Sequence, residues 1–410
     1  MIKVSSIHVF TVSLPFRFAF KHSLASRTSS QNVIVRLTLE NTVTGATFAG
    51  LGESVPRDYV TGETVETAVA EIKNKFAPAL IETHFSETVS ATDAAASLIE
   101  QLAIQFNVYG RRVGAAFCAL ELALLDAAAK LDGIALSDWL AKRRGNTARA
   151  AITYGGVIPF GKRKILSGIL LFYKFYGFKT VKLKVGVNPD EDFWTVKQAR
   201  KILGPNVTIR VDANCAWDYD TTVAFAKLNR EFNIASIEQP VPFDKLDVLA
   251  ALTKDLNEEI VVDESLCTVD EAEDLALKKA CSGFNIRVSK VGGILAAQRI
   301  IDIAQRSGIN CHLGAQVGES GILTAAGRAL ACANSPFENY EGAANFFLLK
   351  EDLTRENLTA GPNGVGKLPS GNGIGVTANE ENLGRFVVKS SSTDGAPTGV
   401  IEATGRGLHV

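Results

Sequence analysis

The chain has 410 residues, 46% hydrophobic and 21% charged, with 43 Lys plus Arg against 44 Asp plus Glu and a net charge of -1. That length and composition describe an ordinary globular protein able to bury a sizeable core, as two domains or as one large barrel with additions. The near-neutral charge gives no electrostatic reason to expect nucleic acid or an anionic membrane as partner, so a small molecule is the expected one. The opening stretch "MIKVSSIHVF" has no charged segment followed by an apolar run, and no stretch reaches the length of a membrane span, so a cytoplasmic location is expected. Six cysteines, Cys118, Cys215, Cys267, Cys281, Cys311 and Cys332, are scattered without a C-x-x-C pair, and five lie in segments that look buried. They read as reduced core thiols.

Along the chain, "IKVSSIHVFTVSLPF" and "SQNVIVRLTLENTVTGATFAGLGES" alternate apolar and polar residues and break at Pro, Asn and Gly, as antiparallel strands do. Three stretches of helical spacing follow, "ETVETAVAEIKNKFAPALI", "ATDAAASLIEQLAIQF" and "GAAFCALELALLDAAAKLDG", the last ending on a Gly stop. Residues 1–130 thus read as a compact α+β domain. Within 131–347, short apolar runs alternate with amphipathic stretches: "TVKLKV", "VTIRVDAN", "IASIEQP", "EIVVDES", "GFNIRVSKVGG" and "NCHLGAQ" each precede a helix-like segment. So many β-then-α units predict parallel strands closed into a (β/α) barrel, an α/β fold, and no G-x-G-x-x-G follows any strand to favour a dinucleotide fold. Residues 348–389, with "GPNGVGKLPSGNGIGV", are expected to leave the barrel and pack back on the first domain. Residues 390–410, polar and Gly-rich, are expected to be a flexible tail.

In "TVKLKVG", Lys182 and Lys184 are two apart and share one face of a strand, while Val181, Leu183 and Val185 share the other. An edge strand with a solvated lysine face would explain this pair in isolation. The neighbouring strand ends favour an enclosed site instead: Asp212 and Asn214 in "VDAN", Glu238 in "SIEQP", Asp263 and Glu264 in "VDES", and Lys290 in "VSKVGG". Barrel enzymes build their sites at these ends, and ionised groups there are costly unless they pair or bind metal. Asp212, Glu238 and Asp263 on three successive strands can converge on one point, and an all-oxygen set suits Mg²⁺, with Mn²⁺ the alternative. A carboxylate substrate on such a metal has its α-proton acidified, and a lysine whose pKa a neighbouring cation lowers can take that proton. On this reading Lys182 tunes Lys184 and touches the substrate carboxylate.

On this ordered set the chain resembles the enolase superfamily, and within it the muconate-lactonizing-enzyme subgroup, which also holds o-succinylbenzoate synthases, N-succinylamino acid racemases and dipeptide epimerases. The resemblance implies a modified TIM barrel under an N-terminal α+β capping domain. It implies Asp212, Glu238 and Asp263 as Mg²⁺ ligands, Lys184 and Lys290 as an acid/base pair on opposite substrate faces, and Lys182, Asn214 and Glu264 as their supports. A lysine on the sixth strand separates this subgroup from the mandelate racemase type. Specificity is expected from two cap loops, "FAFKHSLASR" and "LGESVPRDYVTGET", with Lys21, His22, Arg27, Arg57 and Tyr59 as contacts to the distal part of the substrate. At the eighth strand, where dipeptide epimerases carry Asp-x-Asp for the substrate ammonium, "NYEGAANF" has Glu341 alone, which argues against a standard dipeptide epimerase. Glu319 in "CHLGAQVGESG" is expected at the mouth as a hydrogen-bond partner, and His312 as a packing residue.

The residues fix the first half-reaction, proton abstraction; racemisation, cycloisomerisation and elimination all remain open, as does N-acylamino acid racemase or o-succinylbenzoate synthase activity. A Schiff-base aldolase would use one desolvated lysine and leave three carboxylates idle. A non-catalytic binding descendant would have no use for the intact set. Barrels of the family often associate, so a homo-oligomer is expected.

Overall fold

The computed structural model describes residues 1–22, 25–81, 83–85 and 89–394, with side chains undescribed at 20–22, 25–26, 85 and 390–394. The cap begins with β1 (Ile2–His22), β2 (Ala25–Asn41), β3 (Thr47–Ser54) and the short β4 (His84–Phe85). In β1 the buried positions run Ile2, Val4 and then Ile7, Val9, because a bulge between Val4 and Ser6 shifts the pairing with β2 and so changes the phase of the alternation. Helix Gly114–Leu131 lies against β3. The contact is close because Gly50 and Gly52 lack a Cβ, which would stand 2.0 Å from the Ala123 carbonyl and 1.8 Å from that of Ala119. The expected helix near 63–81 carries a π-helical turn, Ile72–Phe76, immediately before the turn that contains Pro78.

After β5 (Ala151–Thr153) come the barrel strands: β6 (Gly156–Ile158), β7 (Thr180–Lys184), β8 (Thr208–Asp212), β9 (Ile234–Glu238), β10 (Glu259–Val262), β11 (Gly283–Ile286), β12 (Asn310–Leu313) and β13 (Asn339–Tyr340). They form one parallel eight-stranded sheet in chain order, and the Gly155 N–H donates to the Tyr340 carbonyl at 2.8 Å to join its two ends. Val181, Leu183 and Val185 face the helices with no exposure, whereas Lys182 (2%) and Lys184 (9%) point into the barrel, so the solvated-edge explanation of the lysine pair does not hold. Among the described residues no helix is long and apolar enough to cross a membrane.

Buried carboxylates lock the cap to the barrel and brace the cap itself, most of them by accepting from unsatisfied helix N-termini. Glu53 on β3 accepts from the N–H groups of Ser320 (2.9 Å) and Leu323 (3.0 Å), at the start of helix Gly321–Ala333. Glu121 accepts from Ile294 (2.6 Å) and Leu295 (2.8 Å), opening helix Ile294–Ser307, and Glu63 accepts from Ala115 and Ala116, opening the long cap helix. Asp126 takes the N–H of Leu51 in the cap and of Ile374 in the returning segment, both at 2.8 Å.

That segment contributes β14 (Val365–Lys367), paired with β5, and β15 (Val387–Asp394), paired antiparallel with β1 from Val12↔Val387 to Ser6↔Asp394. The expected tail from 390 therefore begins as part of a strand, because β1 offers it an open edge; residues beyond Asp394 lie outside the described ones. Of the stretch expected as a loop at 18–27, the described residues 20–22 and 25–27 belong to the β1–β2 ladder, with Phe20↔Arg27, Lys21↔Ser26 and His22↔Ala25 paired. All six cysteines are free thiols; Cys215 and Cys311 are half-buried and the other four buried.

Candidate active site

The strand register sets the site in a row. Lys184 on β7 is level with Asp212 on β8, which is level with Glu238 on β9, and Asp263 follows one residue after β10. Past the strand ends the backbone turns sharply: Asn214, Cys215 and Gln239 have φ of 45°, 65° and 36°, a left-handed conformation that non-glycine residues adopt at a cost. Side-chain bonds hold these turns in place. Asn214 accepts from Lys184 (2.7 Å) and donates to Glu264 (3.0 Å), and the Gln239 carbonyl oxygen accepts from the N–H groups of Asp263 (2.9 Å) and Ser265 (3.1 Å).

Three lysines stand among the carboxylates. The Lys182 ammonium lies 2.6 Å from Glu341, 3.0 Å from Glu238 and 3.3 Å from Asp212. Burial alone would lower its pKa, but the three negative charges hold it above the usual lysine range. It is a fixed cation. Lys184 donates to Asp212 (2.6 Å), and Asp212, despite its burial, is held below the usual carboxylate range by Lys184 and Lys182. Lys290 is not on a strand; it sits on the single turn Val288–Val291 after β11 and donates to the Asp263 carboxylate (2.7 Å) and carbonyl (2.6 Å) and to the Asn285 carbonyl (3.0 Å). Burial draws its pKa below the usual lysine range, Arg287 adding to the effect.

Four further groups escaped the sequence reading. Arg210 on β8 donates to Glu341 (2.5 Å); Asn285 on β11 donates to Glu238 (2.8 Å); Arg287 pairs with Asp263 and donates to Gln316 (3.0 Å); and Gln239 joins two strand ends as described. Each pair Arg210/Asp212 and Asn285/Arg287 repeats the two-residue spacing of Lys182/Lys184, which is the signal that could have found them.

The expected convergence of Asp212, Glu238 and Asp263 on one point is not what the described residues show: no three acidic, His or Cys side chains are grouped to enclose an ion. Lys182 stands between Asp212 and Glu238, and the Arg287 guanidinium lies 3.9 Å from Glu238 while paired with Asp263. In a low-dielectric interior each carboxylate needs such a counter-charge. The donor chemistry nevertheless fits a hard divalent cation: all the oxygens are carboxylate or amide, and the buried acceptors Glu264 Oε2 and Asn285 Oδ1 have no hydrogen-bond partner.

Of the residues expected to read the substrate, Tyr59 lines the cavity over this site and Arg27 lies above its ring, 5.7 Å from the centroid. Lys21 and His22 lie on β1 with their side chains outside the described ones. Arg57 does not face the substrate space: it is 3% exposed and its guanidinium donates to Ser30 and to the carbonyls of Gln31, Pro56 and Val317. Glu341 lines the cavity but is claimed by Lys182 and Arg210, which outweigh burial and lower its pKa to about 2. Glu319 is at the mouth, accepts the Gln316 N–H at 2.5 Å, and is pushed up to about 8 by burial. His312 is buried between Glu259 and Asn339, each at 3.1 Å, as a packing residue.

The cavity, about 800 Å³, joins this charged floor to cap residues Phe18, Ala19, Tyr59 and Val60. Comparisons with known proteins agree with the architecture. Residues 4–141 match the mandelate racemase / muconate lactonizing enzyme N-terminal domain, and residues 171–382 match the enolase C-terminal domain-like family. An L-Lys-D/L-Arg epimerase from Methylococcus capsulatus is 30% identical over 83% of this chain and 90% of its own length. A dipeptide epimerase from Cytophaga hutchinsonii, crystallised with Mg and D-Ala-L-Val, superposes with a TM-score of 0.82 at 25% identity, covering 96% of this chain and 100% of that one. A muconate lactonizing enzyme from Pseudomonas fluorescens, crystallised with muconolactone, does so with a TM-score of 0.82 at 26% identity, covering 94% and 99%.

Proposed function

The chain belongs to the mandelate racemase/muconate lactonizing enzyme family of the enolase superfamily and is an enzyme of its isomerase kind; from that premise we propose that it removes and returns the proton α to a substrate carboxylate, with Lys184 and Lys290 as the two bases. One observation carries the reading. Lys184 ends β7 and Lys290 follows β11, four positions apart in an eight-stranded barrel, so the two amines approach its mouth from opposite sides. A carbon held between them loses its proton to one and regains it from the other, which inverts it, the outcome of a racemase or epimerase.

The remaining residues divide the work. Asp212 and Asn214 aim Lys184, and Asp263 with two carbonyl oxygens aims Lys290. Lys182, kept charged by its three carboxylates, serves as a cation for the substrate carboxylate rather than as a base. Asp212, Glu238 and Asp263 would hold Mg²⁺, which supplies positive charge against the negative charge that builds on a carboxylate as its α-proton leaves. Without an added ion, the acids Asp212, Glu238, Asp263, Glu264 and Glu341 are matched in number by Lys182, Lys184, Lys290, Arg210 and Arg287. A divalent ion leaves the floor positive, which favours an anionic substrate.

The test is ¹H NMR in D₂O on a panel of carboxylates bearing an α-hydrogen, with Mg²⁺ or EDTA, for the wild type and for folded Lys184→Ala and Lys290→Ala. Exchange at the α-carbon of both configurations, lost with EDTA, is expected for the wild type, and each variant should lose interconversion of the configurations by about 10²-fold or more, keeping exchange only for the configuration whose proton faces the remaining lysine. Interconversion of the two configurations that survives either substitution overturns the assignment.

A further inference from the structure

We propose that the substrate's second arm is long, apolar and uncharged, as in an amino acid whose nitrogen carries a medium-chain acyl group; this rests on the carboxylate-binding reading of the site. The cavity does not end at the charged floor. The same cavity is lined by Gly155 and by Gly156, whose missing side chain lets the Tyr173 ring pack against β6, and by residues of helix Arg163–Tyr176 and of the segment after β13. There its lining is Ile165, Ile169, Phe172, Tyr173, Phe178 and Phe347. Ring centroids of Phe172 and Phe347 are 5.9 Å apart, and those of Tyr173 and Phe178 are 4.8 Å apart.

This arm has little with which to recognise a charge. The Tyr173 hydroxyl donates to the Val157 carbonyl at 2.9 Å, so the ring offers the cavity its apolar face. Asn345 accepts from Thr324 (3.2 Å) and donates to the Glu319 carbonyl (3.2 Å). Glu341 is bound to two buried cations, and Gly342, Ala343 and Ala344 after it bring no second carboxylate for an ammonium. The charged side chain along this arm among the described residues, Lys162, is exposed at the rim. Meanwhile Ile165 (57%) and Phe172 (44%) are exposed apolar groups that an apolar arm would cover. A free ammonium here would lose water without gaining a partner, which disfavours a dipeptide with a free N-terminus.

Calorimetric binding to the full chain with Mg²⁺ would compare N-acetyl-, N-succinyl-, N-hexanoyl- and N-octanoyl-alanine with the free dipeptide L-Leu-L-Ala, and α-proton exchange would be followed separately. The expected result is a Kd falling about three- to fourfold per added CH₂ where the chain is fully covered, with octanoyl far tighter than succinyl or the dipeptide. Phe172→Lys, on a part-exposed position, should erase about tenfold or more of the octanoyl preference and leave the acetyl ligand within about twofold. Equal or tighter binding of the succinyl ligand or dipeptide, a Kd flat with chain length, or no binding by the acyl series overturns the proposal. A clear chain-length gradient without exchange would instead overturn proton transfer and leave the arm assignment standing.

Discussion

Replacing Glu53 by alanine tests the bond between cap and barrel. The substitution orphans the buried N–H groups of Ser320 and Leu323, while Asn32 keeps its bond to the Gly318 carbonyl (2.9 Å) and the Ser320 hydroxyl can turn. Two unsatisfied buried donors cost about 2–6 kcal/mol together. Against this stands relief of the buried carboxylate, whose pKa rises from 4.5 to about 7 because burial outweighs its hydrogen bonds from Ser320, Leu323 and Asn32. A raised folded pKa means the native state binds more protons than the unfolded one between these values. The group's contribution is therefore fully present below pH 4.5 and is lost as pH rises through 7, a loss worth roughly 3 kcal/mol. The deficit of Glu53→Ala should thus be larger at pH 5 than at pH 8, by about 2–3 kcal/mol. Urea unfolding of both proteins at the two pH values, followed by tryptophan fluorescence, measures it. A deficit that is equal at both, or larger at pH 8, refutes the argument.

Gly52→Ala places a Cβ 1.8 Å from the Ala119 carbonyl, a main-chain atom that cannot swing away, so the long cap helix must shift; a lower melting temperature by circular dichroism, or insoluble protein, is expected. Glu341→Gln removes the negative partner of Arg210, which is 1% exposed and already has Nε and one terminal nitrogen without acceptors, and should destabilise the fold by about 3–5 kcal/mol in urea. If Asp212 and Asp263 hold Mg²⁺, saturating ion at 100 times Kd should stabilise the wild type by about 2.7 kcal/mol, and Asp212→Asn or Asp263→Asn should abolish the shift in calorimetric melting temperature. An undiminished shift in both variants would exclude these ligands.

The barrel and its polar floor were legible because strand alternation is strict: once Val181, Leu183 and Val185 are read as one face, Lys182 and Lys184 must share the other. The same rule applied to Arg210 and Asp212, or to Asn285 and Arg287, would have completed the floor. The lysine set also hid something. Its ammonium groups stand between the carboxylates, so a pattern of acids does not by itself give a convergent ion cage. Arg57 looked like a loop cation because its neighbours are polar; only the fold shows that Ser30 and the carbonyls of Pro56 and Val317 surround it. The carboxylate locks at Glu53, Glu63 and Glu121 serve helices far away or distinct in sequence, and local patterns cannot reveal such partners. β15 escaped for a related reason: its sequence is polar, and what makes it a strand is the waiting edge of β1.

That edge has a consequence for how the protein is made. β1 and β2 are neighbours in the chain as well as in the sheet, but the other side of β1 gains its long partner only from a strand that follows the whole barrel in the chain. Until then a nascent chain presents a long row of unsatisfied main-chain donors and acceptors, the kind of template on which neighbouring chains pair in error. Truncation before Val387 would leave the barrel and its lysines intact on paper and make that exposure permanent. Yield of soluble protein, rather than chemistry, is what such a shortened chain would lose first.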